Sequence, residues 1–416
     1  MTTPVLLAVT GSALESSVIT ALQHAERAGV HIVRRCVDLA DLVAAAATGR
    51  AVAALVAADV PHLDADVVSG LRAAGVEPLG VATADTPGAV HRLHQIGIAV
   101  VLTDDGARDL ATQVVESLER TEQHDPGAAT PTAPEEVPAG LGEVVAVWGP
   151  AGAPGRSTVA VGLAAELAGL GRSALLVDAD VYGGSVAQHL ALLDDVSGLL
   201  AAARNAKVGT LDAAALAAHC RAVGAMRVLT GLPRPDRWPE LSPAAMSAVL
   251  ACARTLAAFV VVDCGFSLEA DEDLMFDTAA PRRNGATLCA LEQADRVLAV
   301  GAADPVGLSR LARGVVDLAA AVPGCEPSVV LNRMRAGVGW SAGEATALLE
   351  RFTGRGTTVV LPEDRAACDH ALVHGRTLAE CAPTSPLRRV LRELAAGLAG
   401  VPAPGTGHRR RLRAVP

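Results

Sequence analysis

The chain has 416 residues, 51% of them hydrophobic but only 2% aromatic, and a formal net charge of −10. That length exceeds one ordinary domain, so two domains are expected, with cores built from Ala, Val and Leu. The acidic balance argues against a surface-wide nucleic-acid binder, and no apolar run approaches the ~20 residues of a membrane span.

The first apolar run follows Met1-Thr2-Thr3-Pro4 directly, with no basic leader, so no signal peptide is expected. The eight cysteines, Cys36, Cys220, Cys252, Cys264, Cys289, Cys325, Cys368 and Cys381, form no C-x-x-C pair and sit near no His cluster. They read as small apolar residues of a reducing cytosol, without a cysteine-bound metal.

Within residues 1–120, strands are predicted at 5–9, 31–33, 53–57, 78–81 and 99–102. Helical patterns at 14–27, 41–47, 65–74 and 107–118 alternate with them. Such strand–helix alternation predicts a doubly wound parallel α/β sheet of flavodoxin-like order. Residues 121–142, rich in Pro, Ala, Thr and Gly, lack apolar periodicity and read as a tether.

A different pattern opens at residue 143. The apolar run 144–148 meets Gly149-Pro150-Ala151-Gly152-Ala153-Pro154-Gly155-Arg156-Ser157-Thr158, then a helical pattern to Leu170 and a second run, 174–177, ending on Asp178 and Asp180. Strand, small-residue loop, helix, strand is the layout of a phosphate-binding P-loop. Backbone N–H groups line such a loop, the helix N-terminus adds partial positive charge, a cation meets the phosphates and a hydroxyl holds Mg²⁺. Here the cation is Arg156 and the hydroxyl Ser157. Pro150 stands at the first glycine of G-x-x-x-x-G-K-[ST], and a forked Arg replaces the Lys point charge.

Farther on, a helical Ala-rich region is predicted over 195–222, strand 228–231, helix 244–257 and strand 259–263, ending on Asp263. Residues 266–284 carry five acids and Arg282-Arg283 and read either as a partner contact or as a solvated insert. Strand 296–300, helix 306–318, strand 328–331 ending on Asn332, strand 357–361 and helices 367–374 and 387–399 complete the chain. Asp178 also suits a cap, Asp180 a solvated loop acid, Asp263 an edge carboxylate and Asn332 an Asx turn. The last helix is read as core, with Leu387, Val390, Leu391, Leu394 and Leu398 on one face. Residues 401–416 are read as a disordered basic tail.

These landmarks, in this order, resemble the MinD/ParA group of P-loop ATPases over roughly residues 142–400. The group's deviant loop K-G-G-x-G-K-[ST]-T aligns with residues 151–158. Its two lysines fall on Ala151 and Arg156, whereas Gly152, Gly155, Ser157 and Thr158 are retained. The resemblance implies ATP bound by Gly152, Gly155, Arg156, Ser157, Thr158 and Asp178. It implies Mg²⁺ at Ser157 and Asp263, adenine read by Asn332, and Asp180 positioning the attacking water. The 1–120 half resembles a response-regulator receiver stripped of its chemistry. Ala57 stands at the acceptor position, Thr10-Gly11-Ser12 replaces the acidic pair and Thr103 the lysine. Together the halves resemble the CpaE/TadZ group, and most nearly its actinobacterial septum-site-determining branch.

The implied function is a MinD-like spatial regulator of septum-site or Flp/Tad pilus placement, cytoplasmic and at most peripheral to the inner membrane face. It would be homodimeric, work through protein partners in the division or pilus-secretion machinery, and hydrolyse ATP weakly or not at all. The rivals are an active ParA-type DNA-partitioning ATPase and a phosphorelay receiver. The acidic charge and Ala151 oppose the first, making nucleic acid an unfavoured partner, and Ala57 opposes the second.

Overall fold

The computed structural model describes residues 3–12, 14–25, 29–83, 87–104, 110–122, 140–192, 196–269, 282–353 and 358–402. Most of the expected tether, the middle of the charged insert (270–281) and the end of the basic tail (403–416) lie outside the described residues.

The apolar runs assemble into two sheets. In the first, β1 (Thr3–Ala8), β2 (Val30–Arg35), β3 (Ala53–Ala57), β4 (Glu77–Thr83) and β5 (Val101–Asp104) lie in the order β2-β1-β3-β4-β5. All four pairings are parallel, so the sheet has the flavodoxin-like order that the alternation predicts. β3 is buried at every residue, as a central strand covered on both faces must be. The helices Glu15–Ala25 and Leu110–Glu122 pack Val18, Leu22, Val114 and Leu118 on one face. Helices Leu39–Ala46, Ala65–Ala73 and Pro87–Gln95 cover the other.

The second sheet contains β6 (Glu143–Trp148), β7 (Ala174–Ala179), β8 (Arg221–Val223), β9 (Met226–Leu229), β10 (Phe259–Cys264), β11 (Arg296–Ala302), β12 (Ser328–Met334) and β13 (Thr358–Pro362). Their order is β13-β12-β11-β6-β10-β7-β9-β8, parallel except for the β8–β9 hairpin. One face is covered by Gly198–Lys207, Pro243–Leu256, Gly285–Glu292 and Pro305–Ala321. The other is covered by Arg156–Gly169, Arg365–His374 and Pro386–Leu398.

Two readings need revision. The helical region expected over 195–222 is two helices, Gly198–Lys207 and Ala213–His219, followed by strand β8. Gly209 takes a left-handed φ of +69° between them, and Asp212 caps the second helix by accepting from Ala215 N. The alanine content masks this break, because Ala suits a helix wherever it falls. The helix expected over 107–118 is Leu110–Glu122, so its last turn takes the first residues assigned to the tether.

The last helix behaves as core. Leu387, Leu391 and Ala395 are buried against the Arg156–Gly169 helix, and Arg388 Nε donates to the buried Glu166 Oε1 at 2.6 Å. Its apolar face is therefore covered. No helix among the described residues is long and apolar enough to cross a membrane. All eight cysteines are free. Burial pushes the Cys36 thiol up to about 11 and the Cys289 thiol up to about 12, which leaves them inert at neutral pH.

The two sheet units touch. Lys207 Nζ lies 2.8 Å from Asp66 Oδ2, and Ser242 Oγ donates to the same carboxylate. Arg92 Nε donates to Val208 O (3.1 Å) while its other nitrogens donate to Ala58 O and Leu63 O beside β3.

Candidate functional site

β6 delivers the chain to its small-residue loop at the middle of the second sheet. Gly152 and Gly155 take left-handed φ values of +74° and +95°, which side chains resist. Space enforces the same choice at Gly155, where a Cβ would lie 2.1 Å from Asn332 Nδ2. The Arg156–Gly169 helix starts immediately afterwards, so its free N–H groups face the loop. Such a turn followed by a helix N-terminus is a cradle for phosphate oxygens.

The carboxylates arrive by strand alternation. Ala174 and Leu176 on β7, and Phe259 and Val261 on β10, pack on the face covered by the Arg156–Gly169 helix. Period two therefore sends Asp178 and Asp263 to that face as well. The two are paired in register across adjacent parallel strands, and each is 1% exposed. β10 lies between β6 and β7, so Asp263 is central and not an edge carboxylate.

Asp178 is held by backbone: its Oδ1 accepts from Asp180 N (3.3 Å) and its Oδ2 from Val186 N (3.1 Å). Burial, then the charge of Asp263, pushes its pKa well above the usual carboxylate range against those two hydrogen bonds. Gly184 and Gly231 leave room for it, because a Cβ at either would lie within 3 Å of Asp178 atoms. Asp180 is buried, which excludes the solvated-acid reading. Its Oδ1 accepts from Tyr182 N and Gly183 N, and its Oδ2 lies 3.2 Å from Arg156 Nη2. Arg156 also donates to Gly149 O at 3.2 Å, so its guanidinium lies folded across the loop.

Asp263 differs from its neighbours. Both of its oxygens are buried without a hydrogen bond of normal geometry. Burial pushes its pKa up to about 7, although the nearby Ser157 hydroxyl and Arg156 pull the other way. An orphaned carboxylate beside a serine hydroxyl and a phosphate cradle fits Mg²⁺, which binds through one or two carboxylates plus substrate phosphates. Among the described residues no cluster of three or more His, Cys, Asp or Glu forms a cage for a metal by itself. If Mg²⁺ is bound here, Ser157 and Asp263 would hold it, and the ion would neutralise phosphate charge.

Asn332 is buried, and its Nδ2 donates to Pro154 O at 2.9 Å. It therefore props the loop across 178 residues of sequence. Thr158 lines a small cavity of about 30 Å³ with His189, Cys368 and Arg376. Sequence reasoning missed a second layer. Tyr182, the chain's single tyrosine, stacks on Phe266 at 4.7 Å and carries the Arg283 guanidinium 4.0 Å from its ring. Its hydroxyl donates to Asn284 Oδ1, and Asn284 Nδ2 donates to Glu269 O. The Asp180 turn and both described ends of the charged insert are thus packed together. Aromatic scarcity was the one signal for this cluster, because a lone tyrosine two residues past the acidic pair stands out.

Neither protein-family models nor curated protein sequences give a match to this chain. Solved structures do, and they define the class of fold: the second sheet unit has the MinD/ParA P-loop ATPase fold. One such structure is a ParA family ATPase from Chlorobium tepidum TLS, with a TM-score of 0.51 and 18% identity over 61% of this chain and 98% of that one. Another is the cell division ATPase MinD of Pyrococcus furiosus, with a TM-score of 0.50 and 20% identity over 62% of this chain and 99% of that one.

Proposed function

We propose that this protein is a MinD-like spatial regulator that binds Mg-ATP at the 149–158 loop and hydrolyses it slowly or not at all. The observation that carries the reading is the buried Asp263, without a hydrogen bond of normal geometry, beside Ser157 and a glycine-turned loop. Gly152, Gly155, Arg156, Ser157 and Thr158 form the phosphate site. Asp178 holds the 180–186 turn in place by its two backbone bonds. Asp180 would orient the attacking water, but Arg156 competes for its Oδ2. That competition, and the absence of a lysine from the loop, weaken turnover more than binding. Reading of adenine by Asn332 would require its Nδ2 to leave Pro154 O.

The division of labour follows the two sheets. Residues 1–120 serve as a receiver-like docking module without an acceptor, 121–142 as tether, 143–400 as the nucleotide switch and 401–416 as a basic tail. The cellular role we favour is septum-site or Flp/Tad pilus placement, as in the CpaE/TadZ group and its septum-site-determining branch. A homodimer and protein partners from that machinery would carry it out at the cytoplasmic side of the membrane.

Calorimetry of Mg-ATP against the full chain tests the nucleotide site. Asp263→Ala and Arg156→Ala should each abolish binding. Binding that survives both would mean that the loop is not the site, and no binding at millimolar nucleotide would mean a pure scaffold. A fluorescent fusion that stays uniformly distributed in the cell would sink the spatial role.

A further inference from the structure

With Ala151 uncharged and Arg156 drawn onto Asp180, the first half of the loop has no cation of its own. The Pro305–Ala321 helix brings one there. Gly314 is its contact point: a Cβ at Gly314 would lie 3.0 Å from Pro150 Cβ and 3.2 Å from Trp148 Cη2. The missing side chain lets the helix settle on the residue that opens the loop. Arg310 lies four residues earlier, one turn toward the helix N-terminus on the same face. Its Nη1 sits above Gly152, 2.2 Å from where a Cβ would be. Gly152 is needed for its left-handed φ, and its missing side chain leaves open the space that the guanidinium occupies. Around Arg310 a groove of about 720 Å³ runs between the helix and residues 266–269, lined also by Arg313, Asp317 and Glu269. Asp317 is two helical turns away, ~10 Å along the axis, so it does not neutralise Arg310 at the loop.

We propose that Arg310 is a second phosphate-binding cation of this site, reaching the loop from a separate helix in the same chain and meeting the terminal phosphate of a nucleoside triphosphate. The proposal rests on the reading of the loop as a nucleotide site. Arg156 stands at the position whose cation meets the last two phosphates of a bound nucleotide, but it is drawn onto Asp180. Arg310 stands at the opposite end of the loop and is free of that pairing, so the terminal phosphate falls to it. An Arg fork matches phosphate oxygens in pairs, so Arg310 confers preference for triphosphate over diphosphate.

The test is calorimetry on the full chain with Mg²⁺ and either ADP or a non-hydrolysable ATP analogue. Arg310→Ala should weaken the triphosphate by about tenfold to a hundredfold and the diphosphate by less than about threefold. Arg310→Lys should recover part of the loss. Arg313→Ala, which removes the same charge from the same groove, should shift either ligand by less than about threefold. Melting temperatures check that each variant folds; Arg310 is exposed, so they should match wild type. If the wild type binds and Arg310→Ala binds both ligands as well as it does, Arg310 is not a ligand while the nucleotide site stands. Equal losses for both nucleotides, or an equal loss in Arg313→Ala, overturn the proposal in favour of general groove charge. No binding by the wild type removes both the site and the proposal.

Discussion

The two parallel sheets end differently at the C-terminal edges of their central strands. In the first, β3 stops on Ala57, fully buried, and β1 runs into Thr10-Gly11-Ser12; among the described side chains no carboxylate is buried there. In the second, Asp178 and Asp263 stand one residue before the ends of β7 and β10, in register and 1% exposed, with Asp180 close behind. The second edge carries carboxylates whose burial raises the pKa of both Asp178 and Asp263, with the charge of Asp263 raising Asp178 further, and both Asp263 oxygens lack a hydrogen bond of normal geometry. A ligand-free protein gains no stability from that arrangement, and a cation with phosphates would relieve it. The same kind of parallel sheet thus ends in small and apolar residues in one unit and in buried carboxylates in the other.

The comparison can be broken most forcefully by giving the first sheet a carboxylate of its own. Ala57→Asp buries an unpaired acid and should cost about 3–5 kcal/mol, read from urea unfolding. A cost below about 1 kcal/mol would show that this edge is open to charge after all.

Removing the charge from the second sheet should do the reverse. Asp263 has a higher pKa folded than unfolded, so the native state holds its proton more tightly. The stability this contributes is complete below the ordinary carboxylate pKa and is lost as pH rises through about 7. Asp263→Asn escapes that loss. Without metal or nucleotide it should exceed wild type by about 2–4 kcal/mol at about pH 8.5, and by much less at about pH 5. Parallel pH profiles for the two proteins would mean that Asp263 is compensated in the folded state.

Gly155→Ala sharpens the comparison at the loop. A side chain at φ +95°, aimed at Asn332 Nδ2, must strain the backbone or break the bond to Pro154 O. The expected cost is about 1–3 kcal/mol in unfolding experiments, and affinity for Mg-ATP should fall with it. The smallest effect belongs to the contact between the units. Lys207, the chain's single lysine, pairs with Asp66, and both are partly exposed. Lys207→Ala should change urea stability by at most about 1 kcal/mol; a larger loss would make the pair a principal clamp.

Much of this was readable in one dimension. Alternating apolar runs and helical patterns predicted both sheets, and β7 and β10 end within one residue of the expected Asp178 and Asp263. Helix breaks inside alanine-rich sequence were not readable, because Ala hides the boundary that Gly209 and Asp212 make. The short β8 was missed for a related reason: it has three residues and its only partner is β9. At the site, Asn332 was readable as a polar residue ending a strand, but not as a prop for the loop, because Pro154 is 178 residues away.

By itself, then, the sequence determined the periodicities, the turn at the loop and the residues that end each strand, since these depend on neighbours along the chain. Only the tertiary structure decided that Arg156 lies on Asp180, that Asp263 faces Asp178 with no hydrogen bond of its own, and that Arg310 covers Gly152. Those relations depend on strand order, register and the close approach of a helix at Gly314. Each is set by packing between elements far apart in sequence, which no local pattern encodes.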